Sequence, residues 1–330
     1  MSRLRWNCHL LMGLFPVFIA VSSLSAQQAG CTDPQALNYD TSASVNDGSC
    51  QYPHTTTTAR AYIPRLSNRV HETSGLIYWK GNLWTHNDSG GDAEIYRLDT
   101  LKGRVRQTIS IANARNSDWE DIAQDDHYIY IGDVGNNVGN RRDQCVYKIE
   151  KAAIPETGDV SLEAEIIYFS YGDQKNYEPD AYNHNFDCEA LIAFGDKLLL
   201  FSKNWADLKS RVYELPKIAG THILEPKGIL EVDGLITGAD LSSDGKQIAL
   251  CGYKDYEPFL MLIYDFSPGN IFSGNKRRIA FTGMFGTQTE GITYFSDDSL
   301  LISAEKTPIA PARVYRFYPK IYTAPALGNP

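Results

Sequence analysis

Ile95-Tyr96-Arg97-Leu98 recurs along the chain as Val146-Tyr147-Lys148-Ile149, Val212-Tyr213-Glu214-Leu215, Ile263-Tyr264-Asp265-Phe266 and Val314-Tyr315-Arg316-Phe317. The tyrosines stand 51, 66, 51 and 51 residues apart. Self-similarity at a period of about 50 residues marks a repeat architecture, in which each unit buries its apolar face only against its neighbours. Between 22 and 27 residues before each tyrosine comes a second recurring element: Ser74-Gly75-Leu76-Ile77, Glu120-Asp121-Ile122-Ala123, Glu189-Ala190-Leu191-Ile192, Ala239-Asp240-Leu241-Ser242 and Glu290-Gly291-Ile292-Thr293. An apolar run separates the two, as at 129–131, 198–201, 248–251 and 300–302. Short β-rich runs bounded by Gly, Asp and Asn are strands, so each repeat holds three.

A fourth strand follows in four repeats, at 105–111, 165–171, 228–232 and 278–282, but only 13 residues follow Phe317. Residues 59–63, ahead of the first repeat, can supply the missing one. The pattern predicts an all-β chain whose main body, 59–320, is a β-propeller of about five four-stranded blades, with six as the alternative. A strand from the N-terminal side closes the ring, which removes exposed strand edges that would template aggregation.

Outward from the propeller, the chain begins Met1-Ser2-Arg3-Leu4-Arg5, continues as an apolar run over 10–21 and ends in small residues at Ala26. A charged start, a short apolar core and a cleavage-like end read as a secretory signal peptide over 1–26. No later run reaches the roughly 18 apolar residues of a transmembrane helix. The expected location is secreted, periplasmic or at the cell surface, and the expected state is a monomer. Residues 53–58 read as a Thr-rich linker and 321–330 as a tail.

The chain carries 31 basic and 40 acidic residues, a net charge of −9. Without Arg3 and Arg5 the balance moves to 29 against 40, near −11. Such a chain is a poor partner for nucleic acid, whose phosphates are bound by clustered Lys and Arg; cations and neutral ligands suit it better. Among the cysteines, Cys31 and Cys50 bracket a short polar segment, and in an exported chain that spacing predicts a disulfide. Cys145, Cys188 and Cys251 fall in apolar strands and read as buried thiols.

In a propeller the first strand of each blade lines the central channel and the second runs back beside it. The start of the first and the end of the second therefore meet on one face. Here those places are polar: Ser74, Glu120, Glu189, Ala239-Asp240 and Glu290 at the strand starts, then His86-Asn87-Asp88, Asp133, Ser202-Lys203, Tyr253-Lys254-Asp255 and Glu305-Lys306. Converging carboxylates repel one another and resist desolvation unless a cation compensates.

Two compensations are open. Lys203, Lys254 and Lys306 can pair with the glutamates in a structural network, or a hard cation such as Ca²⁺ can sit among Glu120, Glu189, Glu290, Asp88, Asp133 and Asp240. Zinc is disfavoured, because no His or Cys cluster has ligand spacing. The 66-residue step holds the one large insertion, which should overhang the channel mouth and bring Tyr177, Tyr182 and His184 to a ligand. Gly132-Asp133-Val134-Gly135-Asn136-Asn137 with Arg141-Arg142 can receive an anion, though β turns use the same residues. No nucleophile elbow, Walker loop or dinucleotide fingerprint occurs, so no organic cofactor is expected.

Two resemblances follow from these residues. Gly30-Cys31-Thr32-Asp33-Pro34, Asn38-Tyr39-Asp40 and Asp47-Gly48-Ser49-Cys50 resemble small modules on exported proteins of Bacteroidota, which assigns 30–52 to such a module. Asp33, Asp40 and Asp47 are either Ca²⁺ ligands or turn residues. Ala29-Gly30-Cys31 also resembles the end of a lipoprotein signal, with lipidation at Cys31 as the minor alternative. Thr73-Ser74-Gly75-Leu76, His86-Asn87-Asp88-Ser89-Gly90-Gly91, Asp118-Trp119-Glu120-Asp121-Ile122-Ala123 and Thr289-Glu290-Gly291-Ile292 resemble the SdiA-regulated or esterase-like-phytase propellers. That resemblance implies a Ca²⁺-associated propeller and, in its phytase-like branch, phosphoester hydrolysis.

Two functions are therefore expected to compete. One is a secreted propeller that binds a small molecule, glycan or phosphoester, with or without Ca²⁺, at the channel mouth. The other is a Ca²⁺-dependent phosphoric ester hydrolase, in which Lys203 or Lys254 neutralises the phosphate and Glu305 or His86 is the candidate base.

Overall fold

Each apolar run pairs with the next through a tight turn, because strands linked by short polar connections fold back on themselves as antiparallel meanders. The computed structural model describes residues 27–323 except 285 and 297; the leader expected over 1–26 lies outside the described residues. Blade I comprises Thr73–Trp79, Asn82–Asn87, Glu94–Leu98 and Val105–Ile111, and blade II Trp119–Gln124, Tyr128–Asp133, Cys145–Glu150 and Glu165–Tyr171. Blade III comprises Cys188–Phe194, Lys197–Ser202, Ser210–Pro216 and Pro226–Leu230, and blade IV Leu235–Leu241, Gln247–Lys254, Glu257–Tyr264 and Asn275–Phe281. Blade V takes Thr289–Ser296, Ser299–Ala304 and Arg313–Phe317, completed by Arg60–Ile63 from the N-terminal side. That last strand runs antiparallel to its neighbour, with Val314 opposite Ile63 and Arg316 opposite Arg60. The five first strands stand side by side in a closed ring. The chain is a five-bladed propeller.

The outer edges carry strands that the periodicity did not announce. Val160–Leu162, Gly220–Leu224 and Thr55–Thr57 add in parallel to the fourth strands of blades I, II and IV. The Thr-rich stretch expected as a linker is thus held against blade IV, where three β-branched residues suit an edge strand.

The repeat tyrosine has a physical reason. Tyr96, Tyr147, Tyr213, Tyr264 and Tyr315 are all buried, each ring filling space in the apolar layers between blades. A buried phenol needs a partner for its hydroxyl. Tyr96 donates to Glu94 at 2.9 Å, Tyr213 to Asp173 at 3.1 Å and Tyr264 to Asp33 at 2.7 Å. Aromatic bulk fills the blade interface while the polar end reaches its rim.

The blades are laced across the channel by side chains that satisfy backbone groups. Ser74 donates to the Glu120 carbonyl at 2.6 Å, and Thr237 donates to the Thr289 carbonyl at 2.5 Å. The fully buried carboxylate of Asp121 accepts from Leu191 N–H at 2.9 Å and Ala239 N–H at 3.2 Å, so one side chain ties blade II to blades III and IV. Burial pushes this carboxyl well above the usual carboxylate range.

The small module is closed by the Cys31–Cys50 disulfide and contains one parallel pair, Ala29–Gly30 with Val45–Asn46. Asp33 accepts from both Tyr52 and Tyr264 hydroxyls, and Asn46 donates to Asn275 at 2.9 Å, which seats the module on blade IV. Its aspartates act as turn residues: Asp33, Asp40 and Asp47 each accept the N–H two residues on. Cys145, Cys188 and Cys251 are free and buried. No helix among the described residues is long and apolar enough to cross a membrane.

Candidate functional site

The bottom of the site is set where the first strands enter the channel. Successive residues of a strand point to opposite sides, so positions i and i+2 share a face. That alternation is interrupted at Glu120, Glu189 and Glu290, each the extra residue at a register shift in its first strand, and Asp118 and Asp187 stand two positions ahead of the first two at the strand entrances. Gln288 and Glu290 repeat the spacing in blade V. From blade I, Asp88 enters just past the end of the second strand, Asn82–Asn87.

Carboxylate oxygens of Asp88, Asp118 and Glu120 lie within 4.8 Å of one another. Glu120 is 5 % exposed, and its carboxylate has no hydrogen-bond donor among the described residues. Burial comes first among the causes that raise its carboxyl well above the ordinary range, followed by Glu189, Asp88, Asp118 and Asp187, every one of them acidic. Burial, then Asp88 and Asp187, pushes Asp118 up to about 7. Gly135 forms the wall: a Cβ there would stand 2.1 Å from Glu120 Oε1 and 2.4 Å from Asp118 Oδ2. A side chain at this position would push the two carboxylates away from where they now stand.

Around this trio the other acids are accounted for in different ways. Asp133, 2 % exposed, accepts from Arg141 Nη2 at 2.8 Å and from the Asp118 N–H at 3.1 Å. Arg141 also donates to Asp143 and to the Gly135 carbonyl, so its guanidinium is fully engaged. Asp187 accepts from Asn136 N–H at 2.6 Å and from Trp205 Nε1 at 2.8 Å. Lys203 Nζ lies 2.6 Å from both oxygens of Glu189, and both residues are buried. Burial works to lower the Lys203 ammonium, but Glu189, Tyr253 and Glu290 outweigh it and hold it well above its ordinary range. Burial also lifts Glu290 to about 8 against the pull of Lys203, and lifts Glu305 to about 7 with help from Asp88 and Glu72.

The ring thus brings Glu120, Glu189, Glu290, Asp88, Asp133, Lys203, Arg141 and Glu305 to one mouth. Asp240 is placed elsewhere: it accepts from Tyr294 N–H at 2.8 Å and Thr293 Oγ1 at 2.9 Å and braces blade IV to blade V. Lys254 pairs with Asp233 at 2.5 Å, away from the trio. His86 is fully buried; its Nδ1 faces the Asn87 carbonyl, its Nε2 has no partner, and burial lowers it to about 4. A neutral imidazole with no exposed surface does not meet a ligand at the mouth.

The insertion is tied to the blade II loop by Asp180 N–H to the Val138 carbonyl and Tyr182 N–H to the Asn137 carbonyl. His184 holds this turn through Asn137 and Phe186, while Tyr177 lies under the Arg142 guanidinium. Tyr182 is 59 % exposed, in the left-handed region at φ 59°, and its ring meets Trp205 edge-on at 4.7 Å. Trp205 in turn stands 4.8 Å from Lys203 Nζ. Trp205, Asp187, Asp118 and Gly135 escape a repeat-by-repeat reading, although the acid two positions before Glu120 and Glu189 was a visible signal.

A larger cleft, about 810 Å³, opens on the opposite face, where the small module meets blades IV and V. Its carboxylates Asp33, Asp265, Asp244 and Asp298 already accept from Tyr52, Tyr264, Thr32, Ser242 and Lys320. The mouth is the stronger site because the Glu120 carboxylate has no donor among the described residues while Asp88 and Asp118 crowd it.

No family model matches the chain, and no curated protein matches it. Solved structures with a similar fold include the PQQ-bound aldose sugar dehydrogenase of Streptomyces coelicolor, at 11 % identity over 78 % of this chain and 97 % of that one, TM-score 0.43. A glucose dehydrogenase matches at 8 % identity over 77 % and 98 %, TM-score 0.44. A luciferin-regenerating enzyme matches at 12 % identity over 80 % and 92 %, TM-score 0.41. These likenesses concern the propeller fold alone and carry no argument about activity.

Proposed function

We propose that this chain is an exported ligand-binding propeller whose channel mouth holds a divalent cation, with Ca²⁺ the best match, between Asp88, Asp118 and Glu120. The observation that carries the reading is Glu120: a carboxylate 5 % exposed, without a donor, facing two further acids within 4.8 Å. A buried charge surrounded by like charges must either take up a proton or meet a cation. An all-oxygen donor set suits a hard ion such as Ca²⁺. The Gly135 wall leaves the oxygens room to converge.

The phosphoester-hydrolase reading is the weaker of the two. The lysines it needs for phosphate neutralisation are engaged, Lys203 by Glu189 and Lys254 by Asp233. The aromatic side of the mouth, Tyr182 and Trp205, favours a ligand that contacts the cation on one flank and the rings on the other. The test is metal content of the purified chain together with calorimetric Ca²⁺ titration of the wild type and Glu120→Gln. The reading expects one ion per chain, lost in the variant. Equal Ca²⁺ affinity in both proteins, or none in the wild type, defeats it.

A further inference from the structure

On the same face as the mouth, the loop between the second and third strands of blade V meets the segment that leads into blade I. The backbone joins them where Lys306 N–H donates to the His71 carbonyl at 2.8 Å. Between them lies a groove of about 370 Å³ lined by Arg65, His71 and Lys306, with Thr307 and an apolar wall that includes Pro308 and Ile309. No acidic side chain lines it, although the chain as a whole carries a net charge of −9.

We propose that this groove binds an organic oxyanion, a carboxylate or phosphate joined to a small apolar group. Three observations converge. Arg65 and Lys306 have no carboxylate partner among the described residues, whereas the lysines of the mouth and its rim, Lys203 and Lys254, are paired. Thr307 lines the groove, and its Oγ1 is buried without a hydrogen-bond partner. Ile309 is 85 % exposed and offers an apolar surface beside the charges. A concave surface lined by one sign of charge concentrates counter-ions, and low-permittivity walls strengthen that field. His71 has one acid near it, Glu72 at 3.7 Å, so the main attraction falls to Arg65 and Lys306.

The groove is independent of the cation proposed for the mouth, and the experiment keeps the two apart. Phenyl phosphate, benzoate and inorganic phosphate are titrated calorimetrically into the wild-type chain, with and without EDTA. The proposal expects phenyl phosphate to bind more tightly than inorganic phosphate, because only it can use the Pro308–Ile309 wall. The phenyl phosphate and benzoate arms separate a phosphate from a carboxylate preference. Arg65→Ala and Lys306→Ala should each weaken binding about tenfold, the usual scale for losing one charge-assisted contact. Lys306→Arg should retain affinity, rising salt should weaken it, and Glu120→Gln or EDTA should leave it unchanged. Failure of all three anions to bind overturns the proposal. So does binding that survives both alanine variants, or binding that vanishes with EDTA. Equal affinity for phenyl and inorganic phosphate removes the apolar half of the ligand.

Discussion

Replacing Glu120 with glutamine should make the metal-free protein more stable while abolishing its response to Ca²⁺. Two unit charges 4.8 Å apart repel by about 3 kcal/mol at an effective permittivity of about 20. Glu120 has two such neighbours, but partial protonation relieves part of the repulsion, since Asp118 is already raised to about 7. The new amide can also donate to Asp88 or Asp118, which the carboxylate cannot. A net stabilisation of about 1–3 kcal/mol in EDTA follows, read as a Tm rise of about 2–4 °C per kcal/mol for a domain of this size. In the wild type, Ca²⁺ at about a hundred times its Kd should add about 2.7 kcal/mol. Scanning calorimetry of both proteins, each in EDTA and in Ca²⁺, supplies the four melting points. The reasoning is refuted if the variant melts below the wild type in EDTA, or if it keeps the Ca²⁺-dependent rise.

The same acids set a pH dependence. Asp118 at about 7, Glu290 at about 8 and Glu305 at about 7 keep protons in the folded state that the unfolded chain has already lost. Their contribution is present below about pH 4 and is lost as pH rises through about 8, so the Tm in EDTA should fall across that window and flatten with saturating Ca²⁺; a rising Tm would contradict the burial argument. Lys203→Met strands Glu189 in the interior and should lower stability by about 3–5 kcal/mol in denaturant unfolding, with Lys203→Met/Glu189→Leu recovering much of the loss; a loss under about 1 kcal/mol in the single variant would mean that the pair is not buried. Asp121→Ala leaves the Leu191 and Ala239 amides without an acceptor, at about 1–3 kcal/mol each, whereas Asp121→Asn keeps one acceptor and should be milder; equal loss in the two would show that charge, not bonding, is the role of Asp121.

The ring was legible because its signal repeats. Five tyrosines with a common register pointed to about five blades, with six left as the alternative, and the shortage after Phe317 located the closing strand at 59–63, against Arg60–Ile63 in the structure. First strands were readable because their apolar faces are buried on both sides. Fourth strands were less so: the one in blade III begins at Pro226 rather than 228, since an outer strand half open to solvent lacks a continuous apolar run. Added edge strands such as Gly220–Leu224 gave no repeat signal although three blades carry one, because Val160–Leu162, Gly220–Leu224 and Thr55–Thr57 share no sequence pattern.

At the site, pseudo-symmetry carried the argument only as far as strand positions. It brought Glu120, Glu189 and Glu290 to one mouth, yet it treated Asp240 as equivalent, whereas the one-residue register shift shared by blades II to V aligns Thr237, not Asp240, with those glutamates. Asp240 lies three residues deeper along its strand than that position, where its carboxylate meets the amide of Tyr294. Which acid is neutralised and which is stranded also depends on partners that sequence spacing does not specify. Lys203 reaches Glu189 one strand away, and Arg141 returns on Asp133 across its own loop, so both nearby cations are used before any ligand arrives. An anion approaching the mouth would therefore meet Asp88, Asp118 and Glu120, none of them ion-paired among the described residues, and a bound divalent ion would reverse that field. The two proposals for this face therefore differ in kind: an anion would be drawn to the mouth only through the proposed cation, whereas the attraction proposed at Arg65 and Lys306 needs no metal.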